Sequence, residues 1–169
     1  DYGRALWEAI LDAGSHSGIT AYGTEAMGVM RIEKGHFVVG PEADGRTTPD
    51  DLGLSGLVRK EGDFIGRRAL SRPALVAPGR RQLVGLLSVD PAETIPRGAQ
   101  LVADPRHTLP NPMQGVVASH CHSPTLDRYI AMALLADGRK RMGETLYAMS
   151  PVAGRTVPVT VTSQVFFDP

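Results

Sequence analysis

The sequence is poor in cysteine, in aromatic residues and in net charge. The single cysteine among 169 residues, Cys121, excludes an internal disulfide framework and a cysteine-rich zinc site, and it fits the reducing cytoplasm that we expect as the location. Eighteen basic residues balance eighteen acidic ones, a pattern that favours neither nucleic acid nor an anionic membrane surface as partner. No apolar run reaches the roughly 18 residues of a membrane span.

Several signatures of chemistry are also missing. The segment from Gly53 to Gly56 lacks the spacing and the preceding strand of a phosphate-binding loop. There is no nucleophile elbow of the kind that presents a catalytic serine. The chain begins at Asp1 without an initiator methionine or a signal peptide, so we expect it to be a segment of a longer protein.

The first 75 residues show helical spacing interrupted by turns. Apolar residues recur at helical spacing over residues 4–13, and a second helix is predicted from Thr24 to the residue before Gly35. Thr48 can cap a third helix, because a proline and two aspartates follow it and suit the first helical turn. A fourth short helix is predicted over residues 63–70.

After about residue 78 the pattern changes to short runs of Val, Leu and Ile that are separated by Pro and Gly turns. The six predicted strands cover residues 81–89, 99–103, 114–122, 129–135, 144–149 and 155–165. Short strands at this spacing favour an antiparallel barrel or a sandwich. We therefore predict an α+β chain with a boundary between residues 77 and 78.

Glu33 is the first candidate for a functional residue. It lies in the last turn of the second predicted helix, where a negative charge faces the negative end of the helix dipole at a cost of up to about 1 kcal/mol. Local inconsistencies of this kind are enriched at functional sites. The alternative is a solvated surface glutamate that pairs with Arg31 or Lys34.

Two other groups carry weaker signals. His120 and His122 share one face of a predicted strand, with Cys121 on the other, but local spacing places no third ligand for a metal. We therefore interpret them as partly exposed strand histidines and predict no metal site. Arg59 and Lys60 follow the third predicted helix and could meet a carboxylate ligand, although a solvated pair is the alternative.

Seven short motifs follow one another along the chain. They are YGTEAMGVMRIEKG at residues 22–35, TTP at 47–49, DFIGR at 63–67, GVVAS at 115–119, SPTL at 123–126, PVTV at 158–161 and VFFDP at 165–169. In this order they resemble the aminomethyltransferase (glycine-cleavage T-protein) superfamily over essentially the whole chain. Within it, YGTEA followed by MRIEKG is most similar to the C-terminal part of the α subunits of heterotetrameric sarcosine oxidases.

The resemblance implies short helices that end a folate-binding domain, in residues 1–77, followed by a C-terminal antiparallel β-barrel in residues 78–169. It places Glu33 where the family has the glutamate that binds the pterin of tetrahydrofolate. Tyr22 is then a candidate for lining the pocket, and Arg59 or Lys60 for meeting the folate tail. No catalytic residue is expected, because the aspartate thought to assist the chemistry lies in an N-terminal part with no counterpart here.

The resemblance also implies a function. Sarcosine would be oxidised at a flavin elsewhere, and its one-carbon unit would reach tetrahydrofolate to give 5,10-methylenetetrahydrofolate. FAD, FMN and NAD would bind outside this chain, whose partners would be the rest of the α subunit and the other subunits. Two alternatives stay open: a T-protein-like aminomethyltransferase or demethylase, and a non-catalytic barrel that docks subunits.

Overall fold

The computed structural model describes residues 2–58, 61–106 and 110–168. Its helices are α1 (Tyr2–Gly14), α2 (Thr24–Glu33), α3 (Arg67–Leu70) and α4 (Pro73–Val76), with 3-10 turns at Ser15–Ser17, Ser55–Leu57 and Gly138–Arg141. Its strands are β1 (Arg81–Ser88), β2 (Gln100–Val102), β3 (Gly115–Ser123), β4 (Arg128–Ala136), β5 (Thr145–Ser150) and β6 (Arg155–Thr162). None of the helices in these ranges is both long enough and apolar enough to span a membrane.

The six strands form a closed antiparallel barrel in the order β1-β4-β3-β2-β5-β6. β1 pairs with β4 from Arg81 opposite Ala136 onward, and its second half also pairs with β6, which closes the barrel. Closure removes exposed sheet edges, which is how small all-β units avoid pairing with other chains. The prediction of an α+β chain is confirmed. Of the two predicted arrangements of the strands, the structure has the barrel and not the sandwich.

Strand β4 explains why part of the sequence reads as an unbroken apolar run rather than an alternating one. Its residues Ile130 to Ala133 are all completely buried, so both faces of the strand are covered. The inward face joins the barrel core, made of Val84, Leu86, Ile95, Ala99, Leu101, Val117, Ala131, Ala133, Leu135, Leu146, Ala148, Val157, Val159 and Val161. The outward face therefore needs a second layer.

The helical half supplies that layer. Ile32 of α2 and Leu52 form a second buried cluster with Leu83 of β1 and with Ile130 and Met132 of β4. Phe37, Leu54, Leu87, Cys121, Leu126, Leu134 and Phe166 pack around it, partly buried. Each large apolar side chain buried in this way contributes about 1.5–3 kcal/mol. The interface holds α2 against the outside of the barrel beside β3 and β4.

The last residues of the chain return to the end of α2. The backbone N–H groups of Phe166 and Phe167 both donate to the Glu33 carbonyl oxygen, at 2.9 Å each. The Gln164 side-chain amide donates to the Leu52 carbonyl at 2.9 Å, and Lys34 pairs with Asp168. Carbonyls at a helix end have no partner within the helix, so this segment, residues 163–168, satisfies one of them.

The third predicted helix does not form. Thr48 and Asp51 do exchange hydrogen bonds as a capping pair: Asp51 Oδ2 accepts the Thr48 N–H at 2.8 Å, and Thr48 Oγ1 accepts the Asp51 N–H at 3.2 Å. However, the turn ends at Gly53, whose φ of 76° lies in the left-handed region and cannot continue a helix. Arg80 binds the Asp51 carboxylate and fixes the turn to the barrel.

The fourth predicted helix is shorter than expected. Only Arg67–Leu70 is helical, because Gly66 just before it has a φ of 95° and breaks the backbone direction. A further short helix, Pro73–Val76, follows it, and the sequence pattern did not predict this helix. Its proline occupies the first helical position, which suits a residue without an N–H donor.

We expect Gly35→Ala to destabilise the chain more than Gly18→Ala. Both glycines have positive φ, so each alanine costs about 1–2 kcal/mol of backbone strain. At Gly35 the new Cβ would also lie 2.5 Å from the Gln164 carbonyl oxygen, whereas at Gly18 it would meet no atom within 4 Å. Displacing residues 163–168 should bring the loss for Gly35→Ala to about 3 kcal/mol or more. Urea unfolding followed by circular dichroism measures both; equal losses would contradict the close packing of the two segments.

Candidate functional site

The Glu33 side chain is buried at the junction of α2, the end of β3 and the C-terminal segment. It is 6% exposed, and the Ser123 hydroxyl donates to its Oε1 at 2.5 Å. Ser123 is the last residue of β3 and is itself fully buried. Arg31 and Lys34 pair with other carboxylates, those of Glu42 and Asp168. The alternative of a solvated surface glutamate paired with one of these two cations is therefore wrong.

The Glu33 carboxylate keeps unused acceptor capacity. A carboxylate has about four lone-pair positions, and the Ser123 hydroxyl occupies one of them. Within residues 2–58, 61–106 and 110–168, no donor to the second oxygen, Oε2, is found. The Glu33 main chain is meanwhile fixed by Phe166 and Phe167. The carboxylate is thus held in place while still able to accept further N–H groups.

A second buried carboxylate, Glu42, lies next to this junction. Arg31 reaches Glu42 Oε1 at 3.2 Å and the Ser119 Oγ at 2.7 Å, and the Ser119 hydroxyl also donates to Glu42. The Val38 N–H donates to the other Glu42 oxygen at 2.9 Å. The network joins α2, the loop after it and β3. Sequence analysis missed Glu42, since no local pattern distinguishes it from other loop glutamates.

A cavity of about 470 Å³ is lined by residues of both α2 and β3. It is lined by Glu25, Gly28, Val29, Arg31, Ile32, Pro41, Arg97, Ser119, His120, Cys121 and His122. Glu33 is not in this lining, although its neighbour Ile32 is. Residues of α2 and the histidine segment of β3 therefore face the same cavity, but the Glu33 carboxylate does not line it.

The two strand histidines both line this cavity, together with Cys121 between them. Burial lowers the pKa of His120, and the charge of Arg97 lowers it further. The His122 ring meets Tyr129 edge-on, with ring centroids 5.1 Å apart. In the described part of the chain, no group of three or more His, Cys, Asp or Glu side chains is placed to hold a metal ion.

The Cys121 thiol is sensitive to the charge of Glu33. The pKa of Cys121 is raised to about 11, mainly by burial and secondly by the negative charge of Glu33, while the charge of Arg31 opposes the rise. The thiolate is the reactive form of cysteine, so this side chain is a poor nucleophile near neutral pH. It can instead serve as a chemical reporter of the Glu33 carboxylate.

The structure does not bring Tyr22 and Glu33 into one cavity. Tyr22 is 63% exposed and lies in a separate, mainly apolar groove of about 340 Å³. The groove is lined by Trp7, Ile10, Leu11, Ile19, Thr20, Ala21, Tyr22, Gly23, Thr24 and Met27. No residue of α1 is buried. Arg59 and Lys60, the other two predicted ligands of folate, lie outside the described residues.

Comparison with protein families supports the resemblance seen in the motifs. The model for the glycine cleavage T-protein C-terminal barrel domain matches residues 81–168. The chain belongs to the glycine cleavage T-protein family. The model for the GCVT N-terminal domain matches residues 1–62, so the helical half also has counterparts in this family.

Individual relatives fall into two groups of enzymes. The sarcosine oxidase α subunits of Corynebacterium sp. (strain P-1) and Rhizobium meliloti are 43% and 38% identical to this chain over 99% of its length. The aminomethyltransferase of Streptomyces avermitilis is 37% identical over 76% of the chain and 34% of its own length. The chain spans 17% of the length of the two sarcosine oxidase subunits.

A solved structure has the same fold. The crystal structure of the glycine cleavage system aminomethyltransferase T from Bartonella henselae superposes with a TM-score of 0.77 at 27% identity. It covers 98% of this chain, and the match spans 44% of the aminomethyltransferase. The two proteins therefore share one fold over nearly the whole of this chain.

We expect Glu33→Gln to make Cys121 more reactive. Removing the negative charge lowers the thiol pKa, so the alkylation rate should rise at a lower pH than in the unsubstituted protein. The shift should be partial, because burial is the larger cause of the raised pKa and persists. Iodoacetamide labelling across a pH series, read by peptide mass spectrometry, measures it. Glu25→Gln, at an exposed carboxylate in the same cavity lining, should leave the curve unchanged; an equal shift in both variants would contradict the specific coupling to Glu33.

Proposed function

We propose that this chain supplies the pterin-binding glutamate of a tetrahydrofolate site within a sarcosine oxidase α subunit. The observation that carries the proposal is the environment of Glu33: a carboxylate that is 6% exposed, held through one oxygen by Ser123 and still able to accept hydrogen bonds. Glu33 also occupies the position of the folate glutamate in the resemblance to the family.

The donor set of a pterin fits this carboxylate. The pterin edge offers adjacent N–H groups, and a carboxylate can accept two of them in parallel, which fixes orientation as well as position. Withdrawal of Glu33 from water strengthens such bonds, because few water molecules compete for its oxygens. Tyr22, Arg59 and Lys60 remain secondary predictions for the ring and the tail of the same ligand.

When bound, tetrahydrofolate would supply the nitrogen atoms that accept the one-carbon unit of oxidised sarcosine, giving 5,10-methylenetetrahydrofolate. The contribution of Glu33 is to bind and orient the ligand, since holding reactants in the right geometry alone can supply several kcal/mol of a reaction barrier. We propose that FAD, FMN and NAD bind outside these 169 residues. The partners would then be the remainder of the α subunit and the other subunits.

Identity favours sarcosine oxidase over the aminomethyltransferase alternative. Three sarcosine oxidase α subunits are 38–43% identical over 99% of the chain, whereas aminomethyltransferases of similar coverage are 32–34% identical. A dinucleotide-binding glycine motif upstream of this segment would favour sarcosine oxidase further. A barrel that only docks subunits would bind no folate.

We also propose the division into a folate-binding part, residues 1–77, and a barrel domain, residues 78–169.

Titration of tetrahydrofolate into the full-length subunit by calorimetry tests the proposal. Glu33→Gln should weaken binding about tenfold or more, because a hydrogen bond to a charged group is worth about 1.5–3 kcal/mol. Glu93→Gln, which removes a carboxylate that pairs with Arg155 on the barrel, should bind as the unsubstituted protein does. Equal affinity in the Glu33→Gln protein would overturn the site assignment, and absence of any folate binding would favour the docking alternative.

A further inference from the structure

We propose that Ser123 is a positioning residue that sets the orientation of the Glu33 carboxylate for its ligand. The inference deepens the proposed function and rests on it, because Ser123 acts only through Glu33. Its basis is the geometry of one buried hydroxyl group at the end of β3.

The direction of the Ser123 hydroxyl is fixed by two partners. Its oxygen accepts the backbone N–H of Leu126 at 3.1 Å, within the turn that joins β3 to β4. A serine hydroxyl has a single proton, and the structure directs it to Glu33 Oε1. Ser123 is fully buried, so bulk water does not compete with Glu33 for its hydroxyl group.

Main-chain and side-chain restraints on Glu33 come from different parts of the fold. Phe166 and Phe167 hold its carbonyl oxygen, which fixes the end of α2 but leaves the side chain free to rotate. Ser123 is the donor found for the carboxylate among the described residues. A carboxylate that accepts two parallel N–H groups needs its plane set as well as its position. Ser123, at the end of β3, therefore sets the orientation of the Glu33 carboxylate.

Neighbouring serines show that this role is not a general property of buried hydroxyl groups. Ser119, four residues earlier on β3, donates to Glu42 within the adjacent network. Ser88 is equally buried on β1, yet its hydroxyl has no hydrogen-bond partner among the residues described. Ser88→Ala therefore removes a buried hydroxyl group without removing such a hydrogen bond, and it is the matched control for Ser123→Ala.

A double-mutant cycle on tetrahydrofolate binding tests the inference in the full-length subunit. Ser123→Ala should weaken binding about threefold to tenfold, because without the Ser123 hydrogen bond the Glu33 carboxylate must be ordered at the moment the ligand binds. In a Glu33→Gln background the same substitution should add less than about twofold, because the two residues act as one unit. Ser123→Thr, which restores the hydroxyl, should recover most of the affinity, and Ser88→Ala should bind as the unsubstituted protein does.

The other possible outcomes distinguish a failure of the Ser123 inference from a failure of the proposed folate site. Normal binding by Ser123→Ala alongside weakened binding by Glu33→Gln overturns the positioning role and leaves the folate site in place. Additive losses in the double variant, or an equal loss in Ser88→Ala, also overturn it. Normal binding by both Ser123→Ala and Glu33→Gln instead overturns the folate site itself. If Ser123→Ala fails to fold, Ser123→Cys can replace it, because a thiol is close in size to the hydroxyl group but is a weak hydrogen-bond donor. Normal folate affinity in the Ser123→Cys protein would then overturn the inference.

Discussion

The packing of helix α2 on the outside of the barrel is the interaction on which the rest of the structure depends. Strand β4 is apolar on both faces, and the barrel interior can cover only one of them. Ile32 of α2 and Leu52 pack on the other face, against the outward side chains of β1 and β4. Without this second layer, a continuous apolar surface would be open to water, at a cost of about 25 cal/mol for each Å².

Burying this interface also buries polar groups, and the fold pairs them. Glu33 and Glu42 are both withdrawn from water at the edge of the apolar cluster, and each accepts a hydrogen bond from a serine of β3. A buried carboxylate left without a hydrogen-bond donor would cost about 1–3 kcal/mol or more, so the serine spacing on β3 and the docking of α2 depend on each other. The same arrangement that stabilises the interface holds a carboxylate in one orientation, which is what a binding site requires.

The C-terminal segment connects the barrel back to the helix it supports. Residues 163–168 leave β6 and bind the end of α2 through the Glu33 carbonyl and Lys34. Gly35 permits this approach because a side chain there would collide with the Gln164 backbone. The residue proposed to bind folate is therefore held by three segments that lie far apart in the sequence, and the Bartonella henselae aminomethyltransferase shares the fold that brings them together.

The sequence by itself determined the six strands, the first two helices and the family, because short apolar runs, turn residues and motif order are local signals. It also singled out Glu33, through its place against the helix dipole and the resemblance. The tertiary structure decided the rest. The third predicted helix is a turn instead, because Gly53 has a positive φ and Arg80 binds Asp51 within the turn. The serine partners of Glu42 and Glu33 lie 77 and 90 residues away along the chain, so only strand register and helix docking could bring them together.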